Sequence, residues 1–93
     1  MRKDMYTVIQ ERAYTAGRLS DGLSKKVLPE IDEFIICLKK NPFDVRKVKQ
    51  LTENRRVYRK RFGSWRLIYV VDKKEKIVTL LDLCIKAAHT YKP

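Results

Sequence analysis

An α+β domain is predicted by three features of this chain. A short β-branched run lies near its start, one strong helical pattern lies in the middle, and three closely spaced apolar segments follow. That order packs two N-terminal helices on one face of a small, mainly antiparallel four-stranded sheet. Ninety-three residues have room for one such core, so residues 1–93 are read as a single domain whose site lies on that sheet or its helices.

Met5 to Gln10 reads as a first strand, because Thr7, Val8 and Ile9 are β-branched and suit a pleated surface. Glu11 to Leu19 reads as a short, weakly amphipathic helix. The clearer helix carries Val27, Ile31, Phe34, Ile35 and Leu38 on one face, a spacing that strands cannot produce. Ser24 is its expected N-cap, and Pro29 either sits in the first turn or kinks the helix. Lys39-Lys40-Asn41-Pro42 ends it with cations at the negative pole of the helix dipole, then a residue that cannot continue the helix.

A polar, basic connection leads to the expected strands Val57–Phe62, Ser64–Asp72 and Lys76–Ile85. Gly63 marks the first turn and Asp72-Lys73-Lys74-Glu75 the second, which gives an antiparallel meander. In the middle strand Trp65, Leu67, Tyr69 and Val71 share one face, and Arg66, Ile68 and Val70 the other. In Val57–Phe62 the same alternation sends Arg59 and Arg61 away from Tyr58 and Phe62, leaving a face with Arg59, Arg61 and Arg66 for binding.

Lys and Arg number 22 against 11 acidic residues, a formal net charge of +11. From Lys39 to Arg66 the basic residues outnumber Asp44 and Glu53 several-fold, so the excess is concentrated in one segment. Such a patch implies a polyanionic partner. Cys37 and Cys84 sit inside apolar runs, where a thiol packs as a small hydrophobe and no disulfide is implied. One histidine and no clustered carboxylates give no metal-ligand spacing, and no stretch has the length of a signal peptide or membrane span. The expected setting is cytoplasmic, without metal, membrane or small-molecule cofactor.

The run Tyr58-Arg59-Lys60-Arg61-Phe62-Gly63-Ser64-Trp65-Arg66-Leu67-Ile68-Tyr69 resembles the Tyr-Arg-x-Arg-x-Gly-x-Tyr-Arg-(apolar)-(apolar)-Tyr core of the RelE/ParE superfamily of type II toxins. Asn41-Pro42, Lys49-Gln50-Leu51, the Val-Asp-Lys turn and a terminal Tyr91 extend the resemblance from Ser24 onward. It implies a RelE-like, microbial-ribonuclease-like fold. The implied activity, in the RelE-like branch, is ribosome-dependent endonucleolytic cleavage of mRNA, held in check by a cognate acidic antitoxin. Carried over by position, the catalytic residues are Arg59, Arg61, Arg66 and Tyr91, with Lys86 as the remaining basic group. The tail lacks the family's usual His-Arg or Lys-Arg pair before its tyrosine and places His89 there. Two other readings stay open: a ParE-like toxin that poisons DNA gyrase, and a non-cleaving member that binds only antitoxin or RNA.

Chemistry gives these residue types a purpose. Attack of a 2′-hydroxyl on its own 3′-phosphodiester needs a base, charge stabilisation at phosphorus and a proton for the leaving 5′-oxygen. Guanidinium forks match phosphate oxygens in pairs, so Arg61 and Arg66 on adjacent strands are expected to straddle one phosphate. Proton transfer is left open among Tyr91, Lys49, Lys86 and His89, since Glu53 is the one glutamate in the patch. Arg46, Lys47, Lys49, Arg55 and Arg56 are expected to hold RNA through its backbone, and Tyr91 or Trp65 to stack on an unstacked base. The plainer alternatives are that Arg59 and Arg61 guard an edge strand, that Tyr91 docks the C-terminus and that Trp65, with Tyr58 and Tyr69, belongs to the core.

Overall fold

The computed structural model describes residues 5–20, 23, 25–45, 48–51 and 57–85. The elements run β1 (Thr7–Gln10), α1 (Arg12–Arg18), α2 (Val27–Lys40), β2 (Val48–Gln50), β3 (Val57–Phe62), β4 (Trp65–Asp72) and β5 (Ile77–Ile85). They form an α+β domain with two helices and a five-stranded sheet of order β1-β5-β4-β3-β2. β1 pairs parallel with β5, and the other neighbours are antiparallel. The sheet therefore has one strand more than the four expected. β2 contains one apolar residue, Val48, and is a strand because its backbone pairs with the edge of β3, an interaction that side-chain patterning does not register.

α2 buries Ile31, Phe34 and Leu38, and Val27 and Ile35 pack partly against the same core. The helix begins at Val27, so Pro29 falls in its first turn, where a missing N–H leaves no internal bond unmade. Lys26 occupies the N-cap position without a side-chain cap; Ser24 lies outside the described residues. At the other end Asn41 turns extended, its side-chain Oδ1 accepts the Phe43 N–H at 3.0 Å, and Pro42 is buried. α1 is held to α2 by Arg18, whose guanidinium donates to both carboxylate oxygens of Asp32 at 2.7 and 3.1 Å and to the Tyr14 hydroxyl at 3.3 Å. That pairing with Asp32, more than the opposing effect of burial, raises the Arg18 pKa above its ordinary value.

Tyr14, Ile31, Phe34 and Leu38 from the helices meet Phe62, Trp65, Leu67, Tyr69, Val71, Val78, Leu80 and Leu83 from the sheet in one apolar core. Phe34 stands edge-on to Phe62 and Tyr69, with centroids 5.6 and 5.8 Å away. α1 lies so close to β5 that a Cβ at Gly17 would collide with the Leu83 carbonyl, so only glycine fits there. Gly63 adopts φ +61 in the two-residue turn joining β3 to β4, where Ser64 keeps a negative φ. This is the type II′ arrangement that glycine favours in tight hairpins.

One irregularity positions the site. Between Ile68 and Tyr69 the β4–β5 register slips: Ile68 faces Asp82, but Tyr69 faces Leu80. Leu81 is the extra residue of a bulge, and on either side of it Leu80 and Leu83 both point into the core. Strict alternation from Val78 would have turned Asp82 and Cys84 inward. The bulge turns them to the opposite face, so Cys84 does not pack as the core residue expected from its apolar run. Cys37 is exposed on α2, against the same expectation, and both thiols are free.

Candidate nucleic-acid interface

Residues paired directly across an antiparallel sheet share a face, with Cβ atoms about 5 Å apart. Two cross-strand rows on the face away from the helices follow from the register. One row is Arg61, Arg66 and Cys84 on β3, β4 and β5. The next is Lys49, Arg59, Ile68 and Asp82, from β2 to β5. Arg59, Arg61, Arg66 and Lys49 therefore come together on one surface, while the helices build the core on the other. Arg61 and Lys49 are exposed, Arg59 and Arg66 half-buried. Lys49, Arg59 and Arg61, with Val48, Lys60 and Gly63, line an open concavity of about 430 Å³ at the β2–β3 edge.

The electrostatics of this surface are unbalanced. Arg61 and Arg66 are directly opposed like charges, an arrangement that is destabilising by up to about 1 kcal/mol. Among the described residues none forms an ion pair with Arg59, Arg61 or Arg66, whereas Arg18 pairs with Asp32 on the helix layer. The Nε of Arg66 is buried and has no hydrogen-bond partner among the described residues. A buried cationic donor without an acceptor costs about 1–3 kcal/mol, a cost that turning the side chain outward to an acceptor from outside the fold would relieve. Phosphate oxygens are acceptors of that kind.

Asp82 was not anticipated from the sequence, because period-two alternation places it with Val78 and Leu80. It stands half-buried at the end of the Lys49-Arg59-Ile68 row. Burial raises the pKa of the Cys84 thiol; the negative charge of Asp82 and a hydrogen bond to it act the same way, against the lowering effect of Arg66. Cys84, Asp82 and Arg66 thus form an interacting group beside the exposed arginines.

Lys60 follows the expected alternation and points toward the helices. Its ammonium lies 5.5 Å from the Phe34 ring centroid and 5.6 Å from that of Phe62, so the charge rests on aromatic faces at the core's rim. Trp65 is 6 % exposed on the core side of β4, which removes it as a stacking platform for a base. Lys86, His89, Tyr91, Arg46, Lys47, Glu53, Arg55 and Arg56 lie outside the described residues. Among the described residues no group of three His, Cys, Asp or Glu side chains is arranged to hold a metal, and no helix is long and apolar enough to cross a membrane.

A two-helix layer on a mostly antiparallel sheet, with arginines gathered on the sheet's far face, defines the class of RelE-like toxin folds. The chain belongs to the family described as ParE toxin of type II toxin-antitoxin system, parDE, whose sequence pattern matches residues 8–84, and it is a toxin of the RelE/ParE superfamily. The RelE–RelB complex of Pyrococcus horikoshii OT3 is similar at 28% identity and TM-score 0.74, covering 89% of this chain and 97% of that one. A RelBE toxin–antitoxin complex from Mycobacterium tuberculosis matches at 24% identity and TM-score 0.66, over 87% of this chain and 98% of that one. Isolated E. coli RelE matches at 14% identity and TM-score 0.69, over 91% and 87%. These last two likenesses concern the fold. No curated protein matches the chain.

Proposed function

We propose that this toxin is a ribosome-dependent mRNA endoribonuclease that inhibits translation in the cytoplasm as a single RelE-like domain and is restrained by a cognate acidic antitoxin. The observation that supports this reading best is the unpartnered, buried Nε of Arg66, in line with Arg61 on a surface where neither guanidinium forms an ion pair with a described residue. In the reaction Arg61 and Arg66 hold the non-bridging oxygens of the scissile phosphate. Their charge offsets that which develops at phosphorus as the 2′-oxygen attacks and the 5′-oxygen leaves. Arg59, one row away, extends the cationic surface to the next phosphate.

Lys86 and Tyr91 take part by resemblance to the family motif, as a further cation and as a proton-transfer or stacking group. Lys49, with Arg46, Lys47, Arg55 and Arg56, holds the RNA backbone without reading sequence. No metal or cofactor enters the scheme. The ribosome supplies substrate orientation that a small, open surface does not. The Pyrococcus horikoshii toxin, crystallised with RelB, makes an antitoxin the natural protein partner here as well.

The test is primer-extension mapping of an mRNA in a translating extract, with the wild type beside Arg61→Ala and Arg66→Ala. Codon-phased cuts that fall roughly 10²–10³-fold in both variants are expected from loss of transition-state stabilisation. A second reading is favoured by the matched family, which is that of the ParE toxins: gyrase poisoning, which needs no RNA chemistry. Intact mRNA together with trapped gyrase–DNA complexes would establish it in place of the first.

A further inference from the structure

The three arginines leave one chemical need of the nuclease reading unmet, because a permanently charged guanidinium does not take a proton at neutral pH. The bulge in β5 is the place to look. Bulges beside functional surfaces re-aim side chains, and this one turns Asp82 out of the core side of the sheet and into the row of Lys49 and Arg59. Asp82 is diagonal to Arg66 across one strand spacing, a Cβ separation of about 7–8 Å. A phosphodiester gripped by Arg66 and Arg61 would lie over their row, leaving the space between Arg66 and Asp82 for its own ribose. Asp72 shares the outward face by alternation but lies at the far end of β4, at the hairpin turn.

We propose that Asp82 is the proton acceptor for the attacking 2′-hydroxyl. The 2′-hydroxyl proton passes to the Asp82 carboxylate as the O2′–P bond forms. The P–O5′ bond then breaks, the 5′-oxygen takes a proton from solvent, and the products are a 2′,3′-cyclic phosphate and a free 5′-hydroxyl. The proton on Asp82 returns to solvent before the next turnover. The titratable and charged groups that share its face are Cys84 on its own strand, Arg66 on β4, Arg59 and Arg61 on β3, and Lys49 on β2. β1, the other neighbour of β5, carries no charged residue, and α1 packs against β5 through Gly17 at Leu83, with Arg18 engaged by Asp32. The half-buried position keeps the carboxylate near the substrate.

This inference rests on the nuclease reading, and the experiment separates the two. Single-turnover cleavage would be followed from acidic to alkaline pH on ribosomes programmed with mRNA, for wild type, Asp82→Asn and Asp82→Glu. Affinity would be measured on ribosomes whose mRNA carries 2′-O-methyl groups at the mapped cut. Asp82→Asn is expected to cleave roughly 10²–10⁴-fold more slowly and to lose the acid limb of the pH profile. It should bind the blocked mRNA as tightly as wild type or more so, since a negative charge near phosphate has been removed; Asp82→Glu should recover part of the rate. Cleavage by Asp82→Asn within threefold of wild type, with an unchanged pH profile, overturns the role of Asp82 and leaves the nuclease reading intact. A parallel fall in affinity and rate, or loss of fold by circular dichroism, shows a structural role and also overturns it. A wild type that does not cut at all removes the nuclease reading and this inference together.

Discussion

Replacing Arg66 by methionine should make the free protein more stable and the toxin inactive. Methionine keeps an unbranched stem of similar reach and removes the buried Nε that has no acceptor. An unmet donor costs about 1–3 kcal/mol. Because the rest of the guanidinium is partly hydrated in this half-buried side chain, the lower end applies, near 1 kcal/mol. Removing one member of the opposed Arg61–Arg66 pair adds a gain of the same sign. For a domain of this size about 1 kcal/mol raises Tm by roughly 4–8 °C. The measurement is a thermal or urea melt of wild type and Arg66→Met at low ionic strength, without RNA, beside mRNA cleavage in a translating extract. Stability is expected to rise while cleavage falls about 10²–10³-fold. A destabilisation of 1 kcal/mol or more would refute the reasoning, because it would show that Arg66 satisfies its hydrogen bonds within the fold and is a structural residue.

Two further substitutions follow from the packing. Gly17→Ala should destabilise the protein by about 1–3 kcal/mol, since its methyl would enter the Leu83 carbonyl and push α1 off β5; a melt within 0.5 kcal/mol of wild type, by the usual scatter of neutral surface changes, would contradict that close approach. Tyr69 has a buried hydroxyl without a described partner, and burial first, then the neighbouring Tyr58, pushes its pKa above the ordinary value. The folded state therefore holds this proton more tightly than the unfolded chain. The contribution is complete below the unfolded tyrosine value of about 10 and is lost as pH rises beyond it. Stability should fall in that alkaline window by up to about 1.4 kcal/mol per pH unit for each such tyrosine, and Tyr69→Phe should remove its share while leaving neutral-pH stability equal or up to about 1 kcal/mol higher. Urea titrations at neutral and alkaline pH for both proteins measure this directly.

Much of the fold was legible because its strongest elements announce themselves through periodicity. The apolar positions of α2 from Val27 to Leu38 and the two-faced pattern of β4 lie where their spacing puts them. The placement of Arg59, Arg61 and Arg66 on one face required only period-two alternation and a two-residue turn at Gly63. What the sequence did not reveal depends on backbone pairing with distant residues. β2 has almost no pattern of its own and exists as a strand through β3. The β5 bulge exists because Leu80 and Leu83, three apart, both find room in the core, and that choice decides the faces of Asp82 and Cys84. An aspartate within Leu-Leu-Asp-Leu-Cys reads as an awkward buried residue in one dimension. In the folded sheet it stands beside the cations.

The whole account turns on where a phosphate sits. A crystal structure of the toxin with a short RNA blocked by a 2′-deoxy nucleotide at the mapped cut answers that question. The phosphate at the cut should lie over the row of Arg61 and Arg66, with N–H···O distances of about 2.7–2.9 Å from both side chains and the Nε of Arg66 now engaged. Phosphates bound along the helix layer, with Arg66 still lacking an acceptor, would contradict it.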